Sequence, residues 1–298
     1  MAKKIIRFVS GCLPICLFIT FSLYLAAPTP AQALILSDTV EMIELTREPV
    51  EGDSAGLVYQ FYILIEVENA VGTIVLFAGG SGQLAIHNNE LHIRSTNFLV
   101  RSRHHFAAEG FHVVVMDAAT DFLQLSTGLR GQRTGIAHLS DIATVINDLP
   151  GKLGDPGPIC LVGTSRGTVS AGAYAAESPS DPNLPAIDCL VLTSSVTQLG
   201  GPSISQNLLD DVTLGSVNVP SYVVAHENDR CFVTPPSDIT ILESLLSVGS
   251  PKVKVKTFRG GTTTLSDECY SLSAHGFFGI EPQVVKGIGK WIRKTIGE

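Results

Sequence analysis

The sequence has no basic stripe, and that absence removes one class of function first. Of 298 residues, 20 are Lys or Arg and 28 are Asp or Glu, a formal net charge of −8. The first 33 residues hold Lys3, Lys4 and Arg7 and no acid, so the remainder sets 17 bases against 28 acids, a net −11. Such a surface repels phosphate backbones, and no aromatic-interleaved basic patch offsets it, so nucleic acid is not an expected partner. Metal-ligand spacing is missing as well. There is no CxxC and no HExxH, which argues against a zinc site. The lysine of GxxxxGK[ST] is lacking and the first strand–helix turn does not spell GxGxxG, so nucleotide binding is discounted and no cofactor is expected. Internal repeats are not visible and low-complexity sequence is scarce. What is left is 45% hydrophobic and long enough to bury a sizeable core as one α/β domain.

The amino terminus reads as an export signal. A basic start, "MAKKIIRF", precedes the apolar "LPICLFITFSLYLAA" and then "PTPAQA". Ala31 and Ala33 supply the small residues a signal peptidase needs, so residues 1–33 are expected to be removed, leaving 34–298 as a single domain. The apolar stretch is short for a membrane span and runs into Pro28 and Pro30, which favours cleavage over an anchor. "VSGC" at 9–12 sits before that stretch, where lipoprotein processing would leave almost no signal core. The expected location is therefore periplasmic or extracellular, without stable membrane insertion.

Export changes the reading of the cysteines. Cys12 and Cys16 leave with the signal, and Cys160, Cys189, Cys231 and Cys269 stay, an even number in an oxidising compartment. Cys160 and Cys189 begin neighbouring strands and fit either a bridge or buried free thiols.

Apolar runs at 41–48, 57–67, 71–78, 111–117, 158–163, 188–195, 221–227 and 252–258 read as eight strands. Helical spacing is expected over 97–110, 134–149, 166–177, 235–249 and 281–296. Continuous apolar strands alternating with helices predict a mostly parallel sheet covered on both faces, with the two leading strands as an antiparallel edge. On such sheets ligands bind at the carboxyl ends of the strands, so those ends hold the candidate chemistry.

The third strand ends in "AGGSGQ" (78–83), where glycines let backbone N–H groups point at a ligand. The fifth ends in "GTSRG" (163–167), a GxSxG match with a strand before it and a small-residue helix after it. On such an elbow the serine takes a strained conformation that exposes its oxygen, and side chains at Gly163 or Gly167 would crowd strand against helix. The seventh ends in "AHENDRC" (225–231). Asp229 lies just past that strand, and Glu227 is the competing carboxylate. His275, in "SAHG", is the one histidine beyond the eighth strand. The order Ser165, Asp229, His275 is the Ser…Asp…His order of one hydrolase fold.

With these residues the chain resembles the α/β-hydrolase superfamily over roughly residues 55–298, anchored on "FAGGSG", "GTSRG", "HENDRC" and "SAHG". It looks most like secreted bacterial serine hydrolases with little or no cap domain. The resemblance implies Ser165 as nucleophile, His275 as general base and Asp229 as the acid that orients it. It also implies an oxyanion hole from the N–H of Arg166 and that of Gly80 or Ser81. The sequence departs from the pattern in two places. The oxyanion loop has no histidine of the HGGG type, and Thr164 and Arg166 flank the serine. A bridge from Cys231 to Cys269 would tie the acid loop to the base loop.

The expected function is hydrolysis of carboxylic esters, with amides or thioesters served by the same constellation. Small-molecule acyl esters are the expected substrates, because about 25 residues between the sixth and seventh strands are too few for a large lid. The competing readings are a catalytically inactive binding protein on this scaffold, or a lyase or haloperoxidase. Among other polar residues, Arg133, His138 and Asp141 are expected on a solvated helix face, and Arg101, Arg103, His104 and His105 on another. Arg166 could pair with a surface carboxylate or offer its guanidinium to an acidic substrate.

Overall fold

The computed structural model describes residues 33–50, 56–86, 95–200 and 205–297. Residues 1–32 of the expected signal lie outside these. Eight strands form one sheet: β1 (Ile35–Leu45), β2 (Val58–Val67), β3 (Thr73–Phe77), β4 (His112–Met116), β5 (Ile159–Thr164), β6 (Cys189–Thr193), β7 (Ser221–His226) and β8 (Val253–Phe258). Their order is β1-β2-β4-β3-β5-β6-β7-β8. β2 is antiparallel to both β1 and β4, and every other neighbouring pair is parallel.

The helices are α1 (Phe98–Arg101), α2 (Arg103–Ala108), α3 (Thr120–Gln124), α4 (Ile136–Leu153), α5 (Gly167–Glu177), α6 (Leu208–Asp211), α7 (Ile239–Leu246) and α8 (Glu281–Ile296). The central strands are buried on both faces, which explains their unbroken apolar runs. Side chains still alternate. Val75 and Phe77 of β3 join Leu161, Leu192 and Val223 in one core layer with residues of α4, α5 and α7. Ile74 and Leu76 join Val113, Val162 and Val191 in the other, with residues of α1, α2 and α8. Each fully buried aliphatic or aromatic side chain contributes on the order of 1.5–3 kcal/mol.

Several boundaries differ from the sequence reading. β1 starts at Ile35, not 41, because "ILSDTV" is half-exposed and its Ser37 and Asp38 look like turn residues until β2 is there to pair with them. α4 continues past Pro150 to Leu153. A proline in the last turn forfeits one backbone bond, and the helix stops at Gly154, which has φ +74° and donates its N–H to the Pro150 carbonyl. The expected helix over 97–110 is two short helices that break at Ser102.

Both disulfides are formed. Cys160 and Cys189 are register partners on β5 and β6 and are bridged there. Cys231 is bridged to Cys269, 38 residues on. Among the described residues no helix is long and apolar enough to cross a membrane.

Candidate active site

Ser165 occupies the corner between β5 and α5. Its φ is +52°, a left-handed conformation that costs a non-glycine residue free energy and has to be held by its surroundings. They hold it with three hydrogen bonds. The Ser165 N–H donates to the Thr193 carbonyl at 3.0 Å, and its own carbonyl accepts from the Thr168 N–H at 3.0 Å and the Thr168 hydroxyl at 2.6 Å. The flanking glycines are sterically required. A Cβ at Gly163 would lie 2.5 Å from the Gly167 carbonyl oxygen, and one at Gly167 would lie 2.1 Å from that of Phe77. Helix and sheet touch there, and the serine between them is half-buried.

The glycine loop after β3 lies against this corner. A Cβ on Gly79 would meet the Ser165 Cβ at 2.8 Å and its Oγ at 3.4 Å. Gly80 follows with φ +65°, and among the described residues nothing accepts a hydrogen bond from the backbone N–H of Gly80, Ser81 or Arg166.

His275 sits on a single 3-10 turn, Ala274–Gly276, that is pinned from several sides. The Ser273 hydroxyl accepts from the His275 N–H at 3.1 Å. The Ser194 hydroxyl donates to the His275 carbonyl at 2.8 Å, and Arg101 donates to the Gly276 carbonyl at 2.5 Å. The imidazole is buried, and its Nδ1 lies 3.0 Å from Asp229 Oδ2. Asp229 is buried too, with Oδ1 accepting from the Cys231 N–H at 2.9 Å. Thr234 closes the arrangement: its hydroxyl donates to Asp229 Oδ2 at 3.0 Å and lies 3.1 Å from His275 Nδ1.

The predicted acid and base are therefore in contact, and the serine and histidine loops are both fastened to the end of β6. Thr193 accepts from the Ser165 backbone, and the next residue, Ser194 (φ +43°), holds the His275 carbonyl. A hydrogen bond between Ser165 Oγ and His275 Nε2 is not among those the described residues form; such contacts are often longer without substrate. Glu227 is engaged elsewhere, 2.6 Å from Arg259.

Sequence reasoning missed Thr234, Thr168 and Ser194. They are short hydroxyl residues whose roles arise from contacts across 3 to 81 positions of chain, and none of them sits within a motif.

It misjudged Arg133, His138 and Asp141, which are buried rather than solvated. Arg133 donates Nη1 to Ser170 Oγ at 2.7 Å, and Nη2 to the carbonyls of Ala78 and Gly80 at 3.1 and 3.3 Å, so it props the glycine loop from below. Burial first, then the charges of Arg166 and Arg130, bring its pKa down to about 9. His138 Nε2 lies 2.9 Å from the same Ser170 hydroxyl. Burial, Arg133 and Arg47 depress its pKa to about 3, so the ring is neutral. Asp141 shares Arg47 with Asp121, in contacts of 2.6 Å each. Burial outweighs the guanidinium for Asp141 and lifts it to about 6, while Asp121 is held below the ordinary range. In the other polar group His104 and His105 are exposed as expected, but Arg101 is partly buried and reaches Glu281.

A separate cavity of about 580 Å³ is walled by neighbours of the acid and the base, among them Asn228, Arg230, Ser273 and Ala274, and not by Ser165. Among the described residues no group of His, Cys, Asp or Glu could hold a metal ion.

No protein-family model matches the sequence, and no curated protein matches it. Solved structures do. An esterase from Pyrococcus furiosus is similar over 87% of this chain and 93% of its own, at 13% identity and a TM-score of 0.57. A carboxyl esterase from Tuber melanosporum covers 87% of this chain and 88% of its own, at 14% identity and a TM-score of 0.55. A dienelactone hydrolase from Anabaena variabilis covers 86% and 98%, at 13% identity and a TM-score of 0.53. Together with the strand order and the serine corner, these likenesses establish that the chain has the fold of the α/β-hydrolase superfamily.

Proposed function

We propose that the protein is an exported serine hydrolase that cleaves carboxylic esters through an acyl-enzyme. The observation that carries this reading is the buried Asp229–His275 pair, 3.0 Å apart, fastened to the same strand end as a serine held at φ +52°. A hydroxyl is a poor nucleophile at neutral pH and needs a base beside it. Asp229, accepting at Nδ1, fixes the imidazole tautomer that leaves Nε2 free to take the Ser165 proton as its oxygen attacks the carbonyl carbon. Charge building on the carbonyl oxygen is met by the N–H of Arg166 and that of Gly80 or Ser81, which no described residue engages. His275 then protonates the leaving alcohol. A water, deprotonated by the same imidazole, releases the acid and restores Ser165.

Export is supported by the signal-like sequence at 1–33 and by two disulfides, which persist in oxidising compartments. The segment joining β6 to β7 contributes one four-residue helix and one three-residue 3-10 turn, Leu214–Ser216, among its described residues. So little covering structure among the described residues suits small soluble acyl groups. The test is turnover of p-nitrophenyl esters from acetate to palmitate. The expected result is a burst followed by steady turnover, fastest for short acyl chains and reduced at least about 1000-fold in Ser165→Ala. Equal turnover by the folded Ser165→Ala variant contradicts the proposal.

A further inference from the structure

Arg130, Arg133 and Arg166 line one small recess beside the serine corner, together with Gly131, Val169 and Gln206. Four arginines elsewhere are matched with acids: Arg47 with Asp121 and Asp141, Arg101 with Glu281, Arg259 with Glu227, Arg293 with Glu109. In the recess none is. Among the described residues Arg133 meets only neutral acceptors, and no carboxylate faces Arg130 or Arg166. Arg133 is 2% exposed, and its Nε and that of Arg130 are buried without a hydrogen-bond partner. The three cations sit close enough to disfavour one another, as the downward shifts of Arg133 and Arg166 reflect after burial. Gathering uncompensated arginines in a protein of net charge −8 costs stability. An anion placed among them recovers that cost.

We infer that this recess is an anion subsite, and that the ester substrate carries a carboxylate which docks on Arg130 and Arg166 while its carbonyl meets Ser165. This rests on the ester-hydrolase reading and narrows its substrate class to half-esters of dicarboxylic acids and similar acidic esters. The space enclosed in the recess is about 10 Å³, room for about one water, so the anion sits at its mouth, where Arg130 and Arg166 are partly exposed. A carboxylate fits best there, because a guanidinium presents a fork of N–H donors that matches two carboxylate oxygens. Arg166 follows Ser165 directly, so an anion there is tethered close to the reacting carbonyl. Arg133 supports both parts, because it lines the recess and holds the carbonyls of Ala78 and Gly80.

The test compares mono-p-nitrophenyl succinate and glutarate with p-nitrophenyl butanoate and pentanoate, in which a methyl replaces the carboxylate. A charge-assisted contact predicts at least about tenfold higher kcat/KM for the acidic esters at low ionic strength, a preference that shrinks as salt rises. Arg130→Gln should cut the ratio about fivefold or more, and Arg130→Lys should keep part of it. Calorimetric titration of glutarate into the Ser165→Ala protein separates the two ideas. Glutarate binding that Arg130→Gln abolishes, without hydrolysis of any ester by the wild type, keeps the subsite and removes the esterase. Ester turnover with a ratio near one and no glutarate binding keeps the esterase and overturns the subsite.

Discussion

Replacing Thr234 by Val removes one hydroxyl and nearly nothing else, which makes it a clean probe of the acid–base pair. Asp229 has three donors: the Cys231 N–H at 2.9 Å, the Thr234 hydroxyl at 3.0 Å and His275 Nδ1 at 3.0 Å. Two of them share Oδ2, so losing Thr234 leaves that oxygen with the imidazole alone. The carboxylate side chain is fully buried, so water does not easily replace the lost donor. A hydrogen bond to a buried charged group is worth roughly 1.5–3 kcal/mol. If that interaction orients the imidazole, the same amount appears in the activation barrier, a fall in kcat of about 10- to 100-fold. Thr234 lies on the Nδ1 side of the ring, away from the reacting Nε2, so KM should hold steady. Steady-state kinetics on p-nitrophenyl acetate, read beside the melting temperature, gives both numbers. Thr234→Ser keeps the hydroxyl and should recover most of the rate. A Thr234→Val enzyme within twofold of wild type in kcat refutes the reasoning.

Gly167→Ala should destabilise by about 3 kcal/mol or more, since its Cβ would lie 2.1 Å from the Phe77 carbonyl oxygen on a central strand; urea unfolding measures it. His138 is held near pKa 3 when folded and titrates near 6.5 when unfolded. The unfolded chain therefore binds the extra proton first, and the contribution of His138 to stability is lost as pH falls below about 6.5, by up to about 1.4 kcal/mol per pH unit. Unfolding midpoints between pH 7 and pH 4 should flatten in His138→Gln. The Cys231–Cys269 bridge closes 38 residues around the acid and base loops, so Cys231→Ser with Cys269→Ser should cost about 4 kcal/mol and also lower kcat. Removing Cys160 and Cys189, bridged within the sheet, should lower stability while leaving kcat largely intact.

The fold was legible because β3 through β7 are buried on both faces, and a strand of that kind announces itself as an unbroken apolar run. β1 was misplaced by six residues at its start because an edge strand has no such pattern. The strand ends pointed to Ser165, Asp229 and His275, and of these the structure brings Asp229 and His275 into contact and sets Ser165 on a strained corner. The hydroxyls that support them could not, since nothing local distinguishes Thr234 from any other threonine. The burial of Arg133 and His138 was hidden for a related reason. Polar residues in and just before a helix suggest solvent until it is known that Ser170 and the glycine loop lie opposite.

The central claim is tested most directly by labelling the protein with a fluorophosphonate and mapping the adduct by mass spectrometry. One adduct is expected, on the peptide that contains Ser165, absent in Ser165→Ala and formed at least about 100-fold more slowly in His275→Ala. An adduct on another residue, or labelling that persists in folded Ser165→Ala, contradicts the account.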